Sequence, residues 1–239
     1  VRIWTGDIEI HITADVAYAI LQHWAATGDD GWMAESGAEV VLDGANFWAS
    51  AAQLEADGLY HLRNVIGPDE YHDRIDDNAY TNRFAQHHLR TALTLLDWLA
   101  ATDSARHAQL VEKLGLSRTR LKQWSTVAES MAVGRSTPSG VIEQFEGYFD
   151  RIDADFVALR DPARTRSMQA ILDIEPCAET QILKQPDVLM LQYLLPELFS
   201  AQEVAANYAY YDPRTDHEHG SSLGPSISAI MACRVGDAE

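Results

Sequence analysis

Apolar residues recur every third or fourth position through most of this chain, and runs that alternate apolar with polar are few. Thr13 stands just before Asp15–Trp24 as a predicted cap, with Val16, Ile20 and Trp24 on one face of the helix that follows. A short joint, Thr27-Gly28-Asp29-Asp30-Gly31, leads to a second series at Val41, Ala45, Trp48 and Ala52, so the pair reads as an antiparallel helical hairpin. From Asn78 to Ala101, the residues Phe84, His88, Leu89, Ala92, Leu93, Leu96 and Leu99 describe a long helix with one broad apolar face. The same period predicts helices from Ser117 to about Met131, with Leu121, Trp124 and Ala128 inward, and over Arg164–Leu172, Asp187–Leu195, Ala201–Tyr210 and Pro225–Val235. Strand-like pieces are confined to Leu59–Val65 and Gly140–Phe145. The fold class is therefore all-α. Short turns alternate with long, polar, aromatic-rich loops, as in a toroid of stacked hairpins whose long loops gather at one end. No low-complexity linker divides residues 1–239, which read as a single domain.

Composition narrows the partners. With 36 acidic against 18 basic residues the formal charge is −18, which repels phosphate backbones and acidic lipid surfaces and disfavours nucleic-acid and membrane binding. A neutral substrate fits better. No apolar run approaches the length of a membrane span. Cys177 and Cys233 lack the spacing of a zinc site or a disulfide framework and read as buried thiols of a reducing, cytoplasmic compartment.

Two loops are dense in chemistry. Gly67-Pro68-Asp69-Glu70-Tyr71-His72 sets a carboxylate between a rigid proline and an aromatic ring, a setting in which a proton donor can be held still and partly dried. Glu70 is the candidate acid; the plainer reading is a surface carboxylate in a turn. Asp69, Asp73, Asp76 and Asp77 make a local excess of negative charge, which raises carboxyl pKa values in a partly buried site, and Asp77 is favoured as a structural residue, the cap of the following helix. The second loop, Tyr210–Pro225, ends in His217-Glu218-His219-Gly220-Ser221-Ser222-Leu223-Gly224-Pro225. With Pro225 at a first helical position, Ser221, Ser222 and the amides around Leu223 lie at a helix N-terminus, which attracts anions; an ordinary serine cap is the simpler alternative. His217 and His219 without a third ligand do not make a zinc site. Lys184 sits beside a helix start, where its charge is unfavourable, so a sugar or phosphate contact competes with a snorkelling lysine. Of six tryptophans most fit a core, and Trp4 alone is reserved for stacking on a sugar.

Six segments in order, His11–Asp15, Val65–His72, Asp77–Asn82, Gly140–Phe145, Lys184–Val188 and His219–Leu223, resemble glycoside hydrolase family 65, whose members include disaccharide phosphorylases and acid trehalases. The resemblance implies an (α/α)6 barrel and inverting phosphorolysis of an α-linked glucose disaccharide to β-glucose 1-phosphate. It implies Glu70 as general acid, Ser221 and Ser222 with Gly220 and His219 as the phosphate site, and Lys184 with Gln185 as contacts to the glucosyl unit. His217 remains a rival to His219. Inorganic phosphate is the implied co-substrate, with no metal and no organic cofactor, and a homodimer is the implied assembly. Members of the family are far longer, so the chain is expected to be an internal piece carrying about eight of twelve barrel helices and inactive alone. The alternatives are a hydrolase of the acid trehalase type and a non-catalytic sugar-binding or interaction module.

Overall fold

The computed structural model describes residues 4–155 and 164–237. They are overwhelmingly helical, and the one regular sheet is a two-residue pairing of Gln53–Leu54 with Tyr60–His61. The all-α reading holds. Among the described residues no helix is long and apolar enough to cross a membrane. Two compact units emerge, one of residues Ile10–Leu62 and Thr81–Ala132, the other of Val1–Glu9, Arg63–Tyr80 and Val133–Glu239.

The first unit contains the predicted hairpin. The helix Ile12–Thr27 stops where Gly28 turns left-handed at φ 64° and donates its N–H to the Trp24 carbonyl. Asp29 then caps the next helical stretch through the Trp32 N–H. That stretch passes through a π turn at Met33–Gly37 into Ala38–Ala51, which buries Val41, Ala45 and Trp48 as the pattern required. Thr13 is not a cap: the helix has already begun at Ile12, and its buried face is Ala14 and Ala17 while Val16 is 45% exposed. Small residues let the helices approach closely, so the face chosen is the alanine face and not the bulkiest one.

The helix Ala79–Thr102 buries Phe84, His88, Leu89, Ala92, Leu96 and Leu99, and Arg118–Glu129 buries Trp124 and Ala128 behind its Ser117 cap. Between them lies a helix the apolar period did not predict, Ser104–Lys113, whose one buried side chain is Leu110. Its signal was polar: Asp103 accepts from the Arg106 N–H at 2.9 Å. His88 is a buried polar residue of this core. Its Nδ1 accepts from Trp48 Nε1 at 3.0 Å and its Nε2 donates to the Val41 carbonyl at 2.8 Å, which fixes a neutral ring.

Burial, only partly offset by the Val41 carbonyl, pulls the His88 pKa down to about 4. The unfolded ring takes a proton near pH 6.5, so the stabilisation is whole above that pH and is lost as the pH falls towards 4. About 3 kcal/mol is at stake. Denaturation midpoints measured from pH 7 to 4.5 should fall more steeply for the native chain than for His88→Gln, and parallel curves would refute the assignment.

In the second unit the region read as strand Gly140–Phe145 forms only a bridge, Ser136 to Ile142. Side chains replace a ladder there: Asn207 Oδ1 takes the Ile142 N–H at 2.9 Å and the Tyr211 hydroxyl donates to the Ile142 carbonyl. Leu59–Val65 likewise shrinks to Tyr60–His61, in the first unit. The helix expected over Arg164–Leu172 is the single turn and a half Met168–Leu172, and Asp173 at φ 70° breaks it from Ile174–Ala178. Asp187–Leu194, Ala201–Tyr211 and Leu223–Val235 follow as predicted to within two residues. Cys177 is buried, and burial above all, then the charges of Asp69 and Asp216, pushes its thiol up to about 12. Cys233 is exposed, contrary to the expectation of two buried thiols, because it falls on the outer face of its helix. The Trp4 side chain lies outside the described residues.

Candidate active site

The Gly67–His72 loop is built on buried carboxylates. Gly67 has room for hydrogen only: a Cβ there would lie 2.3 Å from Asp187 Oδ2 and 2.5 Å from Asn78 Nδ2, which are themselves bonded at 2.8 Å. Asp187, fully buried at the first turn of its helix, also takes the Asp69 N–H at 2.8 Å through Oδ1. Burial and the neighbouring charge of Asp69 raise the Asp187 carboxyl well above the usual range. Asp69, 1% exposed, accepts the Lys184 N–H at 2.8 Å, the Tyr71 N–H at 3.3 Å and Gln144 Nε2 at 3.1 Å, and meets His72 Nδ1 at 2.6 Å. Gln185, buried, donates from Nε2 to the Pro68 carbonyl at 2.8 Å.

Glu70 emerges from this frame with its side chain 41% exposed, and its Oε2 lies 3.0 Å from Lys184 Nζ. That contact explains a lysine beside a helix start better than any dipole argument. The other acids of the loop each have a partner of their own. Asp69 faces inward, Asp73 meets Arg74 at 3.3 Å, Asp76 takes the Asn64 N–H at 2.8 Å and Asp77 meets Arg63 at 3.0 Å. Left-handed backbone at Arg74 (φ 50°) and Asp77 (φ 49°) produces the turns that separate them.

The second loop is stitched to the same frame. Leu183 donates its N–H to the Arg214 carbonyl at 2.9 Å and accepts from the Asp216 N–H at 2.8 Å. Asp216, fully buried, binds Arg164 at 2.5 and 2.9 Å, the Tyr71 hydroxyl at 2.9 Å and the His219 N–H at 3.2 Å. Burial raises its pKa, but the Arg164 guanidinium and these donors outweigh it and hold the carboxyl below the usual range. Gly220 packs so closely that a Cβ would sit 2.5 Å from the Asp216 carbonyl and 3.0 Å from that of Lys184. Lys184 thus touches Glu70 with its ammonium and Gly220 with its backbone, which brings the two loops of the sequence analysis into one place.

The helix after Gly220 begins at Leu223, so Pro225 is its third residue and not its first, still within the turn where a missing N–H costs nothing. Among the described residues the Ser222 hydroxyl makes no capping bond, and Ser221 Oγ accepts only from the Leu223 N–H, at 3.2 Å. The ordinary serine cap is therefore not formed by Ser222. His219 Nε2 donates to the Arg164 carbonyl at 2.7 Å, whereas His217 points Nε2 at the Asp212 carbonyl at 3.1 Å. His217 Nδ1, buried and without a hydrogen-bond partner among the described residues, faces the start of the helix at Gly224. Asp187, Asp216, His72 and Gln144 were not singled out from the sequence, although His72 and Asp216 lie inside the two dense loops, and Asp69 was read only as one of the acids around Glu70.

The description "Glycosyl hydrolase family 65 central catalytic domain" matches residues 2–239. The chain belongs to that family. A kojibiose phosphorylase of Caldanaerobacter subterraneus subsp. tengcongensis is 39% identical over 99% of this chain and 30% of its own length. The 1,2-alpha-glucosylglycerol phosphorylase of Bacillus selenitireducens is 36% identical over 98% of this chain and 30% of its own length. A solved structure from the human microbiome, provisionally titled a kojibiose phosphorylase, superposes with a TM-score of 0.84 at 30% identity, over 95% of this chain and 31% of that one. The chain thus spans about a third of the length of the relatives it matches, and its fold is of the family's all-α, (α/α)6 class.

Proposed function

We propose that the protein to which this chain belongs catalyses inverting phosphorolysis of an α-linked glucose disaccharide, with inorganic phosphate as co-substrate. The observation that carries the reading is Lys184, whose ammonium meets Glu70 and whose carbonyl abuts Gly220, next to the two serines. The names of the family 65 relatives support the reaction class. In the proposed step the sugar parts Glu70 from Lys184, and the protonated Glu70 gives its proton to the glycosidic oxygen as the bond to the anomeric carbon breaks. A phosphate oxygen, held by Ser221, Ser222 and the positive end of the helix Leu223–Val235, attacks that carbon from the opposite face. The departing sugar leaves as an alcohol, and the proton of HPO4²⁻ restores Glu70, so glucose 1-phosphate leaves as the dianion and atoms and charge balance. Lys184 and Gln185 are assigned to the glucosyl unit.

Hydrolysis would require a second carboxylate to activate water. Asp69, Asp187 and Asp216 are each consumed by internal bonds, which favours an anionic nucleophile over water. Glu218, whose side chain is half exposed, leans on Arg164 at 3.4 Å. The proposed setting is a cytoplasmic homodimer. Incubating the full-length protein with kojibiose, nigerose, trehalose and maltose, with and without phosphate, should release β-glucose 1-phosphate from one of them, as read by NMR of the anomeric proton. Glucose release that ignores phosphate would overturn phosphorolysis.

A further inference from the structure

We infer that Asp69 and His72 form a buried positioning pair that sets the distance between Glu70 and Lys184, an inference that rests on the acid role proposed for Glu70. Both side chains are 1–2% exposed and lie one residue before and two after Glu70. Both are all but sealed from solvent, so neither is placed to meet a sugar. His72 Nε2 faces the Thr180 carbonyl at 2.8 Å, and a carbonyl only accepts, so Nε2 carries a proton. Nδ1 faces Asp69 Oδ2 at 2.6 Å, so a second proton lies between ring and carboxylate. Phe145 and Tyr148 pack on the ring at 5.0 and 6.1 Å between centroids, which fixes its plane.

The ring in turn fixes the carboxylate. Asp69 Oδ1 holds the backbone N–H groups of Lys184 and Tyr71, one from each side of the Glu70–Lys184 pair, while Gln144 Nε2 steadies Oδ2. A shift of the carboxylate would therefore move the acid relative to the lysine. Reactivity that depends on alignment responds to such shifts far more than folding does.

The test uses the full-length protein with two substrates, a disaccharide and α-glucosyl fluoride, whose leaving group needs little protonation. Asp69→Ala removes the acceptor of Lys184 and is expected to lower kcat for the disaccharide about 100-fold with KM little changed, and to spare the fluoride. Asp69→Asn keeps an acceptor for Lys184. Gln144 Oε1, buried and without a partner among the described residues, can turn to receive the new amide, so this variant should recover most of the rate. His72→Leu, which leaves Asp69 in place, serves if Asp69→Ala does not fold, and is expected to show the same selective loss. Equal losses on both substrates in a folded variant would overturn the inference while leaving Glu70 as acid. Normal disaccharide turnover by Glu70→Gln, run in parallel, would instead remove the acid assignment and this inference with it.

Discussion

Glu70→Gln in the full-length protein should lower kcat for disaccharide phosphorolysis by about 10²- to 10⁴-fold, the range that a positioned proton donor contributes. The amide is nearly isosteric and its oxygen can still accept from Lys184, which stands 3.0 Å from the carboxylate in the native chain. Sugar binding should therefore survive, and KM for the disaccharide should change little. The loop itself should not collapse, because its anchors are Asp69, Gln185 and the close fit of Gly67, none of which the substitution touches. Turnover of α-glucosyl fluoride provides the internal control, since a variant that merely misfolds would lose both substrates. Native-like disaccharide turnover would show that Glu70 is not the donor.

The helices were legible wherever an apolar face was broad. Ala79–Thr102 was readable because Phe84, His88, Ala92, Leu96 and Leu99 repeat on one face; at Ala201–Tyr211 the fold adds a capping box of Ser200 with Glu203 that the apolar period had not drawn on. Ser104–Lys113 was hidden because one buried leucine carries no period. Gly140–Phe145 misled because a bridge stabilised by Asn207 and Tyr211 has the composition of a strand without its partner. In the candidate site, the residues at the surface were readable by motif, as Glu70, Lys184 and the serines show. The residues beneath them were not. Asp187 reads as the polar first residue of an apolar helix, and only the fold reveals that it receives the Asp69 N–H across 118 positions of sequence. Charge was the least legible property: the acids around Glu70 look additive in a linear string, yet left-handed turns at Arg74 and Asp77 send them to separate partners.

Removing both hydroxyls of the proposed phosphate cradle, as Ser221→Ala with Ser222→Ala, should raise the KM for phosphate by about 100-fold and leave the disaccharide KM nearly unchanged. A hydrogen bond to a charged group is worth roughly 1.5–3 kcal/mol, so loss of even one accounts for about a tenfold change or more. The chain can spare little here, because a formal charge of −18 opposes the approach of a dianion and the Arg164 guanidinium is bound to Asp216 at 2.5 Å. Neutral donors and the positive end of the Leu223–Val235 helix then supply attraction. Ser221 Oγ uses its lone pair on the Leu223 N–H, which leaves its hydrogen for an anion, and Ser222 is exposed with no capping task among the described residues. Ser226→Ala is the matched control, since that hydroxyl donates to the Ser222 carbonyl at 3.2 Å within the helix and should not alter phosphate dependence. An unchanged phosphate KM in the double variant would place the anion elsewhere, whereas a rise confined to phosphate would mean that two neutral hydroxyls at a helix start hold the nucleophile on an otherwise repulsive surface.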